Sequence, residues 1–416
     1  MKLKNLFTLL TLFFLVIIMT GCAGSDIGYG SMSPSGGMAE GGSSAGKGDA
    51  VEDVLPPDVG DQNQYDDFVP QAGQITACAY NDNEHYEFWL GLKQAQGNNV
   101  ISFSDYHATY EFKTAKRIHL TLPKNVQTKV NLLDENNEVV YSAYSDKNGN
   151  CYLYPKHEQE EYTIELIYTN NENTLVKETK VVTEDATFEY SGLEVNSNVI
   201  QLMFVIDATG SMGDEMNYLK SEVNDIINKV KEEYQDIIFE LAILMYRDKG
   251  DQYVTRYSDF TADIESQLNF LGKQEANGGG DFEEAVHTAL LEANTDQWRE
   301  TATKILVHIA DAPSHDSDVD DWYQYTLDLA SKGIRIITVA SSGIDRRTEY
   351  LFRSQTMITN GHYVYITNDS GIGDYHIEAT VEEKPTIEYL NSCLIRLIKG
   401  YHTGEFEEAV YYKEER

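Results

Sequence analysis

Residues 202–216 read LMFVIDATGSMGDEM, an apolar run that stops at Asp207 and continues into a glycine-containing turn. Thr209 and Ser211 follow Asp207 at alternate positions. In an extended turn such residues project to the same side, so we expect one carboxylate and two hydroxyls to meet at the end of a strand. The strand itself, VIQLMFVID, is continuously apolar, which is typical of a strand covered on both faces of a parallel sheet.

Downstream of this strand, apolar strands alternate with amphipathic helices. The segments IIFELAILMY, KILVHIAD and IRIITVA are typical of buried strands, and apolar residues spaced three and four apart mark the helices between them. This alternation predicts an α/β domain over residues 198–400, built on a doubly wound, mainly parallel sheet. An acidic tail over residues 401–416 follows it.

A β-rich region precedes the α/β domain. Seven short segments of alternating polarity are separated by turn signals such as DENNE, SDKNGN and TNNENT. They predict a small all-β sandwich over residues 73–192. The stretch VNLLDENNEVVYSAYSDKNGNCYLYP resembles the carboxypeptidase-regulatory-like, transthyretin-type repeat, and this resemblance implies a spacer or an adhesive module.

The first residues have the features of an export signal. Two lysines precede the apolar run LFTLLTLFFLVIIM, which ends in MTGC. A small residue before Cys22 resembles the bacterial lipoprotein signal, which implies a signal peptide over residues 1–21 and lipidation of Cys22; an ordinary secretory signal is the alternative. Residues 22–72, rich in Gly and Ser and then acidic, predict a flexible tether. We therefore expect a lipid-anchored, extracytoplasmic protein at the cell membrane or outer surface.

The composition excludes some partners. The 416 residues include 32 Lys and Arg against 68 Asp and Glu, a net charge of −36. Such a surface repels nucleic acid and anionic lipid headgroups, so we expect no nucleic-acid partner and membrane contact only through the lipid anchor.

The remaining cysteines give no metal or disulfide pattern. Cys78, Cys151 and Cys393 are odd in number and contain no CxxC spacing. Buried free thiols are the expected state. A Cys78–Cys151 bridge stays open as an alternative.

Three loops of the predicted α/β domain carry oxygen ligands. The first holds Asp207, Thr209 and Ser211; the second, NGGGDFEEA, holds Asp281; the third, HIADAPSH, holds Asp311 after a strand. In such folds, binding sites lie at the carboxyl ends of the parallel strands. Carboxylates mixed with hydroxyls suit a hard divalent cation, for which we predict Mg²⁺, with Mn²⁺ or Ca²⁺ as alternatives.

These motifs, in this order, resemble those of von Willebrand factor type A (VWA) domains. DATGS matches the D-x-S/T-x-S signature of their metal-ion-dependent adhesion site, and Asp311 matches the second aspartate of that site. The resemblance implies a cation that binds the Asp or Glu carboxylate of a protein partner in an open coordination position. Many members have a threonine in a GGT-type loop where this chain has GGGD, so we expect Asp281 to take that ligand role.

Two features near these loops have simpler interpretations. Arg247 and Asp248, which follow a predicted strand, are expected to form a structural pair. The acidic stretch HDSDVDDW, His315–Trp322, is interpreted as a helix start loaded with acids rather than as a second metal cluster.

The sequence lacks the motifs of four enzyme classes. A second Asp two residues after Asp207, a GxSxG elbow around Ser211, a Walker lysine in NGGGDF and an HExxH pair are all missing. We therefore expect no enzyme but a cell-envelope lipoprotein that binds a protein partner through a divalent cation. The alternatives are a structural envelope protein with a loop-stabilising ion and a metal-dependent hydrolase or phosphatase.

Overall fold

A large β-sheet is the centre of the computed structural model, which describes residues 70–94, 103–110 and 114–415. The predicted signal peptide 1–21, Cys22 and the tether up to residue 69 lie outside the described residues and stay predictions. Within the described part of the chain, none of the helices combines the length and the apolar character needed to span a membrane.

The described elements alternate as the sequence predicts. The strands are β1 (Thr76–Tyr80), β2 (Ile118–Thr121), β3 (Lys129–Leu133), β4 (Val139–Tyr144), β5 (Asn150–Leu153), β6 (Tyr162–Thr169), β7 (Leu175–Val182), β8 (Ala186–Thr187), β9 (Val199–Asp207), β10 (Ile238–Tyr246), β11 (Thr255–Thr261), β12 (Thr303–Ala310), β13 (Arg335–Ala340), β14 (His362–Ile366) and β15 (Glu388–Tyr389). The α-helices are α1 (Tyr86–Leu92), α2 (Phe103–Tyr110), α3 (Met216–Glu233), α4 (Ile264–Gly272), α5 (Val286–Thr295), α6 (Val319–Ser331), α7 (Arg346–Ile358) and α8 (Leu390–Thr403).

The large sheet has eight strands in the order β11-β10-β9-β12-β13-β14-β1-β15. In this order, β10, β9, β12, β13 and β14 pair in parallel with one another. At one side β11 pairs antiparallel with β10, and at the other β1 pairs antiparallel with both β14 and β15. The predicted α/β fold with a mainly parallel sheet is confirmed. Because β9 lies between β10 and β12, their three carboxyl ends and the loops that follow them share one edge.

All nine residues of β9 are buried because helices cover both faces of the sheet. Leu202 and Phe204 belong to a core that includes residues of α3, α4 and α8. Met203 and Val205 point to the opposite face and belong to a core that includes residues of α5, α6 and α7. A continuously apolar strand is the expected sequence at such a position.

Two smaller sheets form the β region that precedes β9. Their strand orders are β5-β2-β8 and β4-β3-β6-β7, and their buried residues share one core. Six of the seven strands coincide with segments predicted from the sequence. The seventh, β8, shares only Thr187 with the predicted segment TFEY, residues 187–190. The two sheets belong to the same compact unit as the large sheet, Asp66–Arg416.

The start of the predicted sandwich, residues 73–192, differs in the structure. β1 lies in the large sheet, where it pairs antiparallel with β14 and β15. Its Ala77 and Cys78 are fully buried, as expected for a strand inside a two-sided sheet. A five-residue strand whose partner β14 is almost 300 positions away leaves no local signal of that pairing. The described cysteines, Cys78, Cys151 and Cys393, are buried free thiols, as expected.

The backbone just before β1 is held by a buried carboxylate. Glu222 of α3 is fully buried and accepts hydrogen bonds from the N–H groups of Gly73, Gln74 and Ile75 at 3.0 to 3.2 Å. A carboxylate that accepts several backbone N–H groups is well compensated for burial. These bonds fix where the chain enters the large sheet.

Helix α7 is buried along nearly its whole length although its sequence is polar. Arg353, fully buried, donates to Asp82 at 2.5 and 3.0 Å and to Glu349 at 3.1 Å. Its guanidinium also lies 5.2 Å from the Trp89 ring and 5.4 Å from the Phe103 ring. A buried charge requires such partners, and here they come from the segment that follows β1. This segment is thereby attached to α7.

Replacing Arg353 should destabilise the protein strongly. Arg353→Ala leaves Asp82 buried without a counter-charge and removes one of the two arginines that pair with Glu349, so we expect the free energy of unfolding to fall by about 3–5 kcal/mol. Urea denaturation followed by circular dichroism measures this change. Arg346→Ala is the matched control, because Arg346 also pairs with Glu349 but is 40 % exposed, and we expect a loss below about 1 kcal/mol. Equal losses in the two variants would contradict the assignment.

Candidate metal centre

The first loop of the predicted site follows β9 directly. Asp207 is fully buried, and its Oδ1 accepts hydrogen bonds from the Thr209 N–H at 2.8 Å and from the Thr209 hydroxyl at 2.7 Å. The Thr209 and Ser211 hydroxyl oxygens lie 3.2 Å apart. The carboxylate and both hydroxyls therefore converge, as the alternate spacing predicts.

Asp311 lies on the neighbouring strand end. β12 pairs in parallel with β9, with Ile309 opposite Ile206, so Asp311 comes to the same edge one residue after β12 ends. It is 4 % exposed. The charge of Asp311 raises the pKa of Asp207, and the nearby Ser211 hydroxyl lowers the pKa of Asp311 against the larger effect of burial. Asp207, Thr209, Ser211 and Asp311 are thus brought together.

Glu284, not Asp281, is the acid of the second loop that reaches these residues. A Cβ placed on Gly279, whose φ is +74°, would lie 3.0 Å from Glu284 Oε1 and 3.3 Å from Thr209 Cβ. Glu284 Oε1 and Thr209 Cβ therefore both lie next to Gly279. Glu284 is 2 % exposed, and its N–H donates to the Pro313 carbonyl at 2.9 Å. This backbone bond joins the second loop to the third.

Asp281 is exposed, and the structure places it in another group. One of its carboxylate oxygens lies within 4.8 Å of ligand atoms of Asp248 and His315. The expected Arg247–Asp248 pair is wrong. Arg247 instead donates to the carbonyls of Ala208 at 3.0 Å and Glu275 at 2.7 Å. Asp248 Oδ1 lies 2.7 Å from His315 Nε2.

Several buried carboxylate oxygens at this edge have no hydrogen-bond partner within the described part of the chain. Asp207 Oδ2, Glu284 Oε2 and Asp311 Oδ1 come from the three loops, and Glu215 Oε2 lies between the first loop and α3. An unpaired buried polar atom costs roughly 1–3 kcal/mol, and more if it is charged, so buried polar atoms are nearly always paired in folded proteins. The ligand atoms of Asp207, Glu284 and Asp311 do not all lie within 4.8 Å of one another, so a cation shared by them would draw the three carboxylates together. Two hydroxyls and three carboxylates suit a hard dication.

Comparison with known families agrees with this geometry. Residues 201–375 match the family model of the von Willebrand factor A domain. This match supports a VWA domain in that segment. The matched residues begin in β9 and include all three loops, so the residues at the carboxyl edge lie within the matched segment.

The relatives of this chain share only part of their length with it. It is 28 % identical over 198 residues, 41 % of the chain, to a putative ariadne-like RING finger protein of Acanthamoeba polyphaga mimivirus. It is also 28 % identical over 124 residues, 29 % of the chain, to the alpha-protein kinase vwkA of Dictyostelium discoideum. The matched regions are 18 % and 20 % of those proteins, so the chain spans about a fifth of their length.

Among solved structures, the chain is similar to BatB, a conserved hypothetical protein from Bacteroides thetaiotaomicron, with 13 % identity and a TM-score of 0.32. That match covers 40 % of this chain and 89 % of BatB. An aerotolerance-related membrane protein from Bacteroides fragilis NCTC 9343, carrying multiple mutations to serines, gives 15 % identity and a TM-score of 0.31. There the coverage is 50 % of this chain and 100 % of the other.

The acids of the VWA domain edge hold protons unusually strongly. Burial raises the pKa of Glu284 to about 9, and the charges of Asp207, Asp248 and Asp311 add to the effect. Burial also raises the pKa of Asp207 and of Asp311, and the charge of Asp311 adds to the rise at Asp207. Because an ionised carboxylate binds a cation more strongly than a protonated one, cations and protons compete here.

Glu284 is not among the ligands expected from the sequence. The signal that could have found it is its position two residues before α5, whose first residue Val286 is buried, in the stretch FEEAV. Asp281 lies three residues earlier in a glycine-rich loop whose path the sequence does not define. Of the predicted ligands, Asp207, Thr209, Ser211 and Asp311 share one location, and Asp281 does not join them by any described contact.

The raised pKa values predict how stability responds to pH. A carboxyl whose pKa is higher in the folded state retains its proton longer than in the unfolded chain, so stability falls as pH rises through that interval. For Glu284 the interval runs from its ordinary value of 4.5 to about 9, and for Asp207 and Asp311 it begins at 3.8. A bound dication favours the ionised acids. The melting temperature gained on adding Mg²⁺ to metal-free protein should therefore increase from pH 5 to pH 8.

Differential scanning calorimetry of the full chain at pH 5, 6, 7 and 8, with and without saturating Mg²⁺, measures this gain. Asp207→Asn removes one titrating group and one ligand, so its gain should be small and flat across the pH range. A wild-type gain that is constant or decreases with pH would contradict the prediction.

Proposed function

We propose that this protein binds a protein partner through a divalent cation held at the carboxyl edge of its VWA domain. The proposed ligands are Asp207, Thr209, Ser211 and Asp311, with Glu284 in the role first expected of Asp281. One observation carries the proposal: three buried carboxylate oxygens from three loops lie at one edge without a hydrogen-bond partner in the described chain. Mg²⁺ is the proposed ion, because it accepts hydroxyl and carboxylate oxygens and keeps waters.

The distribution of charge explains how such an ion would bind a partner. The Thr209 and Ser211 hydroxyls contribute no negative charge, and Glu284, with a pKa of about 9, is protonated at neutral pH before the cation arrives. Two ionised aspartates, Asp207 and Asp311, then balance the two charges of the ion. A position left to water remains able to accept an Asp or Glu carboxylate from the partner.

The proposed setting is the extracytoplasmic side of the cell envelope. The apolar leader ending in MTGC supports lipid attachment at Cys22, and the Gly- and Ser-rich residues after it support a tether. A tether of about 50 residues has a root-mean-square reach on the order of 40 Å. This reach would hold the VWA domain away from the membrane and expose its carboxyl edge to partners.

Titration of the metal-free full chain with Mg²⁺ tests the proposed ligands. Isothermal titration calorimetry should show one site in the wild type. Asp207→Ala should abolish binding, and Glu284→Ala should weaken it by roughly tenfold or more because a ligand oxygen is lost. Glu284→Gln should bind nearly as well as the wild type, because it retains a neutral oxygen.

Asp281→Ala is the matched control from the same loop, and its Mg²⁺ affinity should stay close to that of the wild type. The proposed role of Glu284 would be wrong if Asp281→Ala lost binding while Glu284→Ala retained it. Identical heats for wild type and Asp207→Ala would remove the metal site altogether.

Partner capture separates adhesion from a purely structural ion. The immobilised full chain is incubated with envelope extract in Mg²⁺ or in EDTA, and retained proteins are identified by mass spectrometry. Adhesion predicts proteins that are retained in Mg²⁺ and lost both in EDTA and in Ser211→Ala. A loop-stabilising ion instead predicts that Ser211→Ala lowers the melting temperature and leaves retention unchanged. Hydrolysis of p-nitrophenyl phosphate in Mg²⁺ or Mn²⁺, lost in Asp207→Ala, would favour the phosphatase alternative.

A further inference from the structure

A second group of metal-ligating side chains lies at the same edge of the sheet. Asp248 follows β10, Asp281 lies in the loop before α5, and His315 follows β12. One ligand atom from each of the three residues lies within 4.8 Å of those of the other two. His315 Nε2 and Asp248 Oδ1 are the nearest pair, at 2.7 Å. An imidazole and two carboxylates from three separate loops thus share one small region.

Hydrogen bonds and one backbone bridge connect the loops that carry these three residues. The Asp251 carboxylate accepts the N–H groups of Gly279 at 2.8 Å and Asp248 at 3.2 Å, which joins the loop after β10 to the second loop. Glu284 forms a parallel bridge with Ser314, which joins the second loop to the third. The positions of Asp248, Asp281 and His315 are therefore set by the fold rather than by long exposed side chains.

The nearby cations are engaged elsewhere. Arg247 donates to two backbone carbonyls, and Lys249 pairs with Asp318 at 2.6 Å. Over the described residues, no Lys or Arg forms an ion pair with Asp248 or Asp281. Asp248 is only 8 % exposed, so its charge is poorly compensated by water.

The first site does not balance the charges of the second group. The charges of both Asp207 and Asp248 act on the Glu284 carboxyl, which is 2 % exposed, so negative charge is concentrated across this part of the edge. One dication at the first site balances Asp207 and Asp311. It leaves Asp281 without a cationic partner in the described chain and Asp248 with His315 as its partner.

We propose that Asp248, Asp281 and His315 form a second cation site, which takes a borderline dication such as Zn²⁺. An imidazole ligand separates this site chemically from the all-oxygen site, because nitrogen ligands favour Zn²⁺ and other transition metals over Mg²⁺. Three protein ligands leave a fourth position open to water or to a partner. The second site does not depend on the proposed function of the first.

The observed spacing is compatible with this assignment. Zinc binds nitrogen and oxygen at ~2.0–2.2 Å, which places the ligand atoms of a tetrahedral site roughly 3.4 Å apart. The exposed Asp281 side chain can move by about an ångström toward the other two ligands. His315 Nε2 and Asp248 Oδ1 lie 2.7 Å apart, so a cation bound by both would take the place of their direct contact and move the two atoms apart.

Cobalt is the probe that tests the proposal, because Co²⁺ occupies zinc sites and absorbs visible light according to its coordination. The metal-free full chain is titrated with Co²⁺ in excess Mg²⁺, which keeps the first site filled. We expect one equivalent of Co²⁺ to produce an absorption band that Zn²⁺ abolishes. His315→Gln and Asp248→Asn should each weaken Co²⁺ binding by at least about tenfold.

Two controls separate this site from the first. Asp207→Ala should retain the Co²⁺ band while losing Mg²⁺ binding, and His85→Gln removes a histidine paired with Glu382 outside both groups and should behave as wild type. Circular dichroism and the melting temperature confirm that each variant is folded. Absence of a band in folded wild type would overturn the proposal. So would a band that survives His315→Gln, or one that disappears in Asp207→Ala.

Discussion

The buried carboxylate of Asp207 is the constraint around which the VWA domain edge is organised. Parallel pairing of β9 with strands on both sides leaves this residue no access to water. The Thr209 N–H and hydroxyl satisfy one oxygen, and the other has no described partner. The same pairing brings Asp311 to the adjacent strand end, which adds repulsion. A buried edge with this much negative charge is costly unless positive charge enters it.

Much of the fold could be predicted from the sequence because its signals are local. The apolar run of β9 and the helical spacing in α3 each result from contacts that repeat within the element, so the pattern is visible in the chain itself. The pairing of β1 with β14 is not local, and five residues give no periodicity from which to infer it. A fragment limited to residues 198–400 would lack this strand of the large sheet.

The candidate site also contains residues whose positions could be predicted from the sequence and one residue whose position could not. Asp207, Thr209 and Ser211 lie within five residues, so their convergence follows from strand and turn geometry. Asp311 follows from the rule that parallel strands end at one edge. The second loop contains three consecutive glycines, of which Gly278 and Gly279 have φ values of +85° and +74°. Such a backbone has too much freedom for sequence to determine which acid it presents, and Glu284 rather than Asp281 lies with Thr209 at Gly279.

The position of β1 determines where mechanical load would enter the molecule. A pull on the chain before Gly73 acts along a strand that is hydrogen-bonded on both sides, by β14 and β15, and on the three N–H groups held by Glu222. In this shear arrangement several hydrogen bonds must break together rather than one after another. Tension from the N-terminal side would thus pass directly into the sheet that carries Asp207 and Asp311 at its carboxyl edge, and would bypass the two small sheets.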